Sequence, residues 1–273
     1  DLDTAVSISR AAGEDVDTYT ITPSAAADSN YTISFVTADF TITAADLTIT
    51  ASDQTKVYGA TDPVLTYSIT GFVNGDLESD LDTAVSISRA AGEDLGTYTI
   101  TPSAAADSNY AISFVTADFT ITAAPLTVTA SDQTKVYGAT DPVLTYSITG
   151  FVNGDLESDL DTAVSISRAA GEDVDTYTIT PSAAADSNYT VSFVTADFTI
   201  TAADLTVTAD ADTKVYGSTD PALTYSITGF QGTDTEADLD TGVSISRAAG
   251  EAVGAYTITP SAAADSNYSV SFV

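Results

Sequence analysis

A sequence repeat with a period of 79 residues constrains everything else that this chain can fold into. Leu47, Leu126 and Leu205 lie 79 positions apart, and each stands shortly before the landmark TKVYGATDPVLTYSITGF or a close variant of it. Strict periodicity predicts tandem copies of one small unit. Both ends of the sequence fall inside a copy, so we expect a segment of a longer array. The predicted domains are the C-terminal part of a repeat (1–45), two complete repeats (46–124 and 125–203) and a repeat that lacks its last strand (204–273).

The composition is strongly acidic, with 39 Asp and Glu against 7 Lys and Arg and a formal net charge of −32. Nucleic acids and anionic lipids bind clustered basic residues, so neither is an expected partner. A hydrophobic fraction of 44% is typical of globular domains, which predicts folded units with acidic surfaces. No apolar run approaches the roughly 20 residues of a membrane helix, so we expect no membrane insertion in this segment.

Alternation of apolar residues with Thr or Ser dominates each copy and predicts strands with one buried face. Six strands are expected in a repeat, and in the second repeat they read LTITAS, VLTYSIT, AVSISR, TYTITP, YAISFV and DFTIT. One short helix is expected in NGDLESDL, capped by Asn74, with Leu77 and Leu81 on one face. The predicted fold is mainly β, a tandem array of 79-residue domains that are either β-grasp-like or immunoglobulin-like sandwiches, with at most one short helix per unit.

The link between repeats, TITAADLTITAS, contains no flexible Gly or Ser run. The last strand of one repeat is therefore expected to pass almost directly into the first strand of the next. Neighbouring repeats of the same chain are the first expected partners, and stacking is expected to stiffen the array.

The order of landmarks resembles a known family. The Tyr-Gly pair after TKV, then DPxLTYSITGF, YTITPSA, SNYxxSFV and FTIT, resemble the MBG repeat of the Tyr-Gly type, found in tandem in large bacterial surface proteins and adhesins. The resemblance implies a β-rich, β-grasp-like domain, strung in arrays that project something from a bacterial cell surface into the extracellular space. It implies no ligand, no cofactor and no catalytic residue.

The Tyr-Gly pair has two interpretations. In the structural one, the glycine provides a positive φ angle or a close backbone approach, and the tyrosine packs. In the other, the tyrosines are exposed platforms on which sugars stack. The residues are Tyr58, Gly59, Tyr137, Gly138, Tyr216 and Gly217.

Basic residues recur at fixed places. The lysines Lys56, Lys135 and Lys214 stand beside an apolar strand, and they either form an intramolecular isopeptide bond to Asn or Asp or pair with nearby acids. An arginine ends each VSISR strand, where we expect it to anchor a neighbouring carboxylate. These arginines are Arg10, Arg89, Arg168 and Arg247.

Calcium is the one cofactor that the sequence suggests. Alternate acids in DLESDLD and its fourth copy place four hard oxygen donors, the ligand type that Ca²⁺ prefers, within seven residues. Alternate acids also occur on an ordinary solvated face, which is the competing interpretation. The candidate ligands are Asp76, Glu78, Asp80, Asp82, Asp234, Glu236, Asp238 and Asp240.

Enzyme activity is not expected, because the sequence has no His or Cys, no distinctive acid pair and no Gly-rich phosphate loop. The predicted function is a structural stalk or spacer segment of a large secreted bacterial adhesin or biofilm surface protein. In the alternative, the repeats are themselves adhesive, by binding glycans or by assembling into a filament through β-strand addition. Residues 37–43 (TADFTIT) would then supply the strand that the fourth repeat lacks.

Overall fold

The computed structural model describes residues 1–273, and contacts divide the chain into two units, Asp1–Ala123 and Ala124–Val273. The first unit contains the partial first repeat and the second repeat, and the second unit contains the third and fourth repeats. The structure is mainly β and has no α-helix. Its three helical turns are three residues long each, and none has the length or apolarity to span a membrane.

The first unit contains ten strands. Those of the partial repeat are β1 (Ser7–Arg10), β2 (Thr18–Ser24) and β3 (Ala38–Thr41). Those of the second repeat are β4 (Ala45–Ala51), β5 (Gln54–Val57), β6 (Tyr67–Thr70), β7 (Ser86–Arg89), β8 (Gly96–Ser103), β9 (Tyr110–Val115) and β10 (Ala117–Thr122), with a 3-10 turn at Glu78–Asp80.

The second unit contains twelve strands. Those of the third repeat are β11 (Ala124–Ala130), β12 (Gln133–Val136), β13 (Tyr146–Thr149), β14 (Ser165–Arg168), β15 (Thr176–Ser182), β16 (Tyr189–Val194) and β17 (Ala196–Thr201), with a 3-10 turn at Glu157–Asp159. Those of the fourth repeat are β18 (Ala203–Ala209), β19 (Tyr225–Thr228), β20 (Ser244–Arg247), β21 (Ile258–Ser261) and β22 (Tyr268–Phe272), with a 3-10 turn at Glu236–Asp238.

Each complete repeat has two small mixed sheets. In the second repeat their strand orders are β6-β4-β9 and β5-β10-β8-β7. The central strand β4 is parallel to β9 and antiparallel to β6, and β10 is parallel to β5 and antiparallel to β8. The third repeat repeats this pattern as β13-β11-β16 and β12-β17-β15-β14. In the fourth repeat the second sheet consists of β20 and β21 alone.

The apolar residues of these strands form the core, as strand alternation predicts. In β4 the fully buried side chains are Leu47 and Ile49, and in β10 they are Phe119 and Ile121, with threonines between them. A single residue, Ala202, separates β17 from β18, so the last strand of the third repeat leads directly into the first strand of the fourth. The predicted short joint is therefore confirmed at this position.

The mainly β fold and the tandem arrangement are confirmed, and two details differ from the expectation. A complete repeat has seven strands instead of six, because QTKV (Gln54–Val57) is also a strand. Lysine occupies its buried position, so no apolar alternation marks it. The predicted helix is a 3-10 turn of three residues. No α-helix crosses the two small sheets, each of which contains one parallel pair of strands.

The predicted cap of that helix is also wrong. Asn74 has a φ of 56° and Gly75 a φ of 89°, so the Asn-Gly pair forms a left-handed turn before the 3-10 turn. The turn is capped by Asp80, whose carboxylate accepts a hydrogen bond from the Leu77 amide at 2.8 Å. In the fourth repeat Thr235 replaces this leucine and the turn persists, so the leucine is not required.

A substitution at Gly150 tests how closely the chain after β13 approaches β11 in the first sheet of the third repeat. Its φ is 110°, and a Cβ at this position would lie 2.4 Å from the backbone oxygen of Pro125. Gly154 is the matched control, because its φ is 86° and a Cβ there would meet nothing within 4 Å. We expect Gly154→Ala to cost about 1–2 kcal/mol of local stability through backbone strain alone. Gly150→Ala should cost more, because the neighbouring strand must also move. Hydrogen exchange of the β11 and β13 amides measures both, and equal losses would contradict the close approach.

Candidate functional site

A cluster of four charged side chains lies beside the second sheet of the second repeat. The Lys56 side chain is 4% exposed, and its ammonium lies 2.7 Å from Asp62 Oδ1 and also contacts Glu93. The Arg89 guanidinium bonds both of the same acids, with its Nε 2.5 Å from Asp62 Oδ2. Two positive and two negative charges thus share one site, which balances the charge of the buried lysine.

Aromatic rings and a turn hold the arginine of this cluster in place. Its guanidinium carbon lies 4.7 Å from the centre of the Phe119 ring and 5.7 Å from that of Tyr98, within the range of cation–π attraction. Arg89 Nη1 also donates to the backbone oxygen of Gly92 at 2.7 Å. A side chain at Gly92 would overlap the Tyr98 ring, so this turn requires glycine. The expected anchoring role of the arginine is confirmed.

The cluster recurs with the repeat. Lys135 and Lys214 each pair with an Asp six residues later and a Glu thirty-seven residues later, and Arg168 and Arg247 contact the same two acids. In the partial first repeat, Arg10 pairs with Glu14. The lysines are therefore ion-paired with acids, in agreement with the ion-pair interpretation.

The protonation states in the cluster favour ion pairing over covalent chemistry. Burial lowers the pKa of Lys56, but hydrogen bonds to Asp62 and Glu93 outweigh this effect and the pKa is raised. Hydrogen bonds from Arg89 and Lys56 lower the pKa of Asp62 to about 2. An isopeptide bond forms from a neutral amine and a protonated acid, and the cluster stabilises the opposite form of each group.

The Tyr-Gly pairs differ in their surroundings. The three glycines have positive φ angles of 78° (Gly59), 77° (Gly138) and 86° (Gly217). Tyr58 is 8% exposed, whereas Tyr216 in the fourth repeat is 73% exposed. A sugar cannot stack on a buried ring, so the exposed Tyr216 fits the glycan interpretation better than the buried Tyr58 does.

Tyr137 joins the third and fourth repeats. Its ring packs against the core of the third repeat around Phe198 and against that of the fourth around Leu205. Its hydroxyl donates to Asp234 Oδ2 at 3.0 Å, and Tyr268 donates to the same oxygen at 2.6 Å. Burial, followed by the bond to Asp234, raises the pKa of each tyrosine to about 12, so both stay protonated donors.

The glycine after Tyr137 permits this contact between repeats. A Cβ on Gly138 would lie 2.4 Å from Gln231 Cβ of the fourth repeat. Any larger residue would push the Gln231 loop away from the third repeat. In this copy the Tyr-Gly pair is thus an element of the joint between two repeats.

An asparagine supplies the second part of the joint. Asn267 Oδ1 of the fourth repeat accepts a hydrogen bond from the Val174 amide of the third at 2.7 Å, and its Nδ2 lies 3.3 Å from Asp173 Oδ1. The first unit has the same arrangement, with Asn109 bonded to the Val16 amide at 2.8 Å and to Asp15 at 3.3 Å. Sequence reasoning missed this asparagine, although the recurring SNY triplet was the available signal.

The candidate calcium ligands do not converge in the structure. No group of three or more acidic side chains is placed to hold a metal ion. Each acid of the second repeat accepts a hydrogen bond from a different donor: Asp76 from the Tyr110 hydroxyl, Glu78 from the Tyr67 hydroxyl, Asp80 from the Leu77 amide and Asp82 from the Ser108 amide. The fourth repeat uses Asp234, Glu236, Asp238 and Asp240 in the same way, with donors Tyr268, Tyr225, Thr235 and Ser266. Calcium binding at these acids stays a prediction.

Comparison with known proteins identifies the repeats. The chain matches the family described as MBG domain (YGX type) over residues 1–41, 47–120, 126–199 and 205–273. Among solved structures it is similar to the three N-terminal domains of the bacteriophage RB49 highly immunogenic outer capsid protein (Hoc). That similarity has 13% sequence identity and a TM-score of 0.22, and it covers 95% of this chain and 79% of that chain. No match was found among curated proteins.

The charged cluster predicts an acid-sensitive contribution to stability. The pKa of Asp62 falls from 3.8 to about 2 on folding, so its contribution is fully present above pH 3.8 and is lost as the pH falls toward 2. Asp62→Asn should therefore lower the thermal stability of the second repeat at pH 7. Near pH 2 the thermal stabilities of the variant and the unchanged protein should become equal. Asp46→Asn, an exposed strand acid outside the cluster, is the control and should show no such difference. A constant gap between Asp62→Asn and the unchanged protein down to pH 2 would contradict the ion pairs.

Proposed function

Because the chain belongs to the MBG domain (YGX type) family and carries four copies in tandem, we propose that it is a structural stalk or spacer segment of a large secreted bacterial adhesin or biofilm surface protein. Its place is outside the bacterial cell, and its task is to hold a binding domain away from the cell surface. The family that matches is a repeated β-domain, and its description names no catalytic activity.

The recurrence of one joint in both units is the observation that carries this proposal. Asn109 and Asn267 each bond the backbone of the preceding repeat, with oxygen–nitrogen distances of 2.8 Å and 2.7 Å. A spacer needs a defined angle at each joint, and two directional hydrogen bonds to a strand-linked neighbour supply it. A chain of independent binding modules would have no use for a repeated joint of this kind.

The surface charge supports the same role. The net charge of −32 is distributed over copies that carry almost identical acids. Like-charged surfaces repel one another within a Debye length of roughly 8 Å at physiological salt. Neighbouring stalks on a cell surface are thereby kept apart and soluble.

The adhesive alternative requires exposed recognition groups. For glycan stacking, Tyr216 is the exposed ring of the three Tyr-Gly motifs, whereas Tyr137 is committed to the joint. Glycan binding repeated along the array is therefore less well supported than a spacer.

A distance measurement within the second unit tests the spacer proposal. The chain has no Cys, so Ser167→Cys and Ser246→Cys introduce one spin label on the third repeat and one on the fourth. We expect a narrow distance distribution by electron paramagnetic resonance. Asn267→Ala should broaden it at least twofold without unfolding either repeat, because the bonds to Val174 and Asp173 are lost.

Asn30→Ala is the matched control, since Asn30 stands at the same SNY position of the first repeat and should leave the distribution unchanged. A distribution that is already broad in the protein with an intact Asn267 would contradict a stiff spacer. The same measurement in calcium and then in chelator tests the calcium prediction. Broadening in chelator is the outcome expected of calcium binding, and an unchanged distribution leaves the acids with their loop-capping roles.

A further inference from the structure

An Asn-Gly pair lies at the tip of the same loop in each complete repeat. In the second repeat this tip is a β-turn, closed by a hydrogen bond from the Asp76 amide to the Val73 oxygen at 3.0 Å. Its two central residues, Asn74 and Gly75, have φ angles of 56° and 89°, and both are exposed. Two positive φ angles are those of a type I′ turn, in which asparagine followed by glycine is a favoured pair. The third repeat has the same turn at 152–155.

The asparagine side chain and the amide that follows it are both free of other partners. The Asn74 side chain forms no hydrogen bond, and the Gly75 amide donates none. A Cβ on Gly75 would meet nothing within 4 Å, so the space beside this amide is open. Asn153 and Gly154 have the same surroundings. A free side-chain amide next to an uncrowded backbone amide is the arrangement in which asparagine is least stable chemically.

The remaining asparagines lack this arrangement. Each of them is followed by tyrosine instead of glycine, so a side chain crowds the backbone amide next to it. Two of them, Asn109 and Asn267, also use their side chains in the joints between repeats. The four asparagines of this group are Asn30, Asn109, Asn188 and Asn267.

The fourth repeat shows that the turn itself does not require asparagine. Gly232 occupies the position with a φ of 55°, and Thr233 follows it. The turn is still closed, by a hydrogen bond from the Asp234 amide to the Gln231 oxygen at 3.0 Å. The same turn therefore occurs in this chain with the Asn-Gly pair and without it.

We propose that Asn74 and Asn153 are self-modification sites, at which the folded chain converts asparagine into aspartate and isoaspartate. Hydroxide removes the proton of the Gly75 amide, and the nitrogen attacks Asn74 Cγ and forms a C–N bond. The side-chain nitrogen takes up a proton from water and leaves as ammonia, so a cyclic imide remains. Water then opens this ring at one of its two carbonyls. The sum of the steps consumes one water and releases one ammonia, and it involves no oxidant or reductant.

The two ways of opening the ring give different main chains. Cleavage of the bond between Cγ and the Gly75 nitrogen restores the normal main chain and leaves aspartate. Cleavage of the bond between the Asn74 backbone carbonyl carbon and that nitrogen leaves isoaspartate, whose main chain runs through Cγ and is one carbon longer. Isoaspartate therefore marks the cyclic route, because direct hydrolysis of the side-chain amide gives aspartate alone.

A tyrosine hydroxyl makes the turn sensitive to this change of length. Tyr110 accepts a hydrogen bond from the Val73 amide at 3.1 Å and donates one to the Asp76 carboxylate at 2.6 Å, so it fastens both ends of the turn. Tyr189 holds the turn of the third repeat in the same way. An added main-chain carbon between the two ends pushes them apart, and either product adds a negative charge close to Asp76. We expect the modified turn to open.

The test uses the 273-residue chain, incubated at pH 8 and sampled over time. Peptide mapping by mass spectrometry measures the replacement of NH₂ by OH at each asparagine, and fragmentation distinguishes isoaspartate from aspartate. We expect both products at Asn74 and Asn153, formed roughly tenfold or more faster than at the four asparagines that precede tyrosine. Absence of isoaspartate at these two positions, or equal rates at all six asparagines, would overturn the proposal.

Asn74→Gly is the matched control, because it gives the second repeat the residue that the fourth repeat has at 232. The variant should keep the turn, show no modification within it and leave the rate at Asn153 unchanged. In the unchanged protein, the Val73 amide should exchange hydrogen roughly tenfold faster after modification than before it. The incubated variant should show no such increase. Equal exchange of this amide in fresh and modified chains would contradict the opening of the turn.

Discussion

The insertion of the last strand between a parallel and an antiparallel neighbour is the interaction on which the second sheet depends. In the second repeat this strand brings Phe119 beneath the Arg89 guanidinium and places Ile121 beside Lys56 of β5. The fourth repeat retains all four charged residues of the cluster but has no such strand, and there Lys214 becomes more exposed. The ion pairs form in both cases. Burial of the charged cluster therefore depends on the aromatic ring that the last strand carries. The ion pairs alone do not exclude solvent from the lysine.

The sequence predicted the repeat, the strands with apolar alternation and the short joint, because these follow from spacing and local pattern. The prediction from sequence failed where a residue occupies a position that is unusual for its residue type. Lys56 occupies an inward position that a strand pattern reserves for an apolar residue, so β5 was missed. Asn74 reads as a helix cap but precedes a glycine and turns left-handed. Asn109 was missed because its partner, Val16, lies 93 residues away, a separation that no local pattern can report.

The ion pairs of the few basic residues explain why the surface charge of the repeats is negative. All seven basic residues lie in ion pairs, and seven acids are their partners. Because each basic residue is neutralised by an acid of its own repeat, the charge that remains unpaired is negative. Several remaining acids accept hydrogen bonds from loop amides and tyrosine hydroxyls, as Asp76 does from Tyr110 at 2.6 Å. Alternate acids that resemble a metal-binding loop in the sequence are thus drawn toward separate donors in the fold.

Stability and stiffness arise from the same contacts in the second unit. The strand β17 completes the second sheet of the third repeat and, one residue later, the chain enters β18 of the fourth. Tyr137 packs on the cores of both repeats and shares Asp234 with Tyr268. A change of angle between these repeats would therefore strain a strand that is anchored by Phe198 and would expose a ring that belongs to two cores. In a linear array, such nearest-neighbour terms add to the stability of each repeat. Bending one joint and loosening one repeat are, in this fold, coupled events.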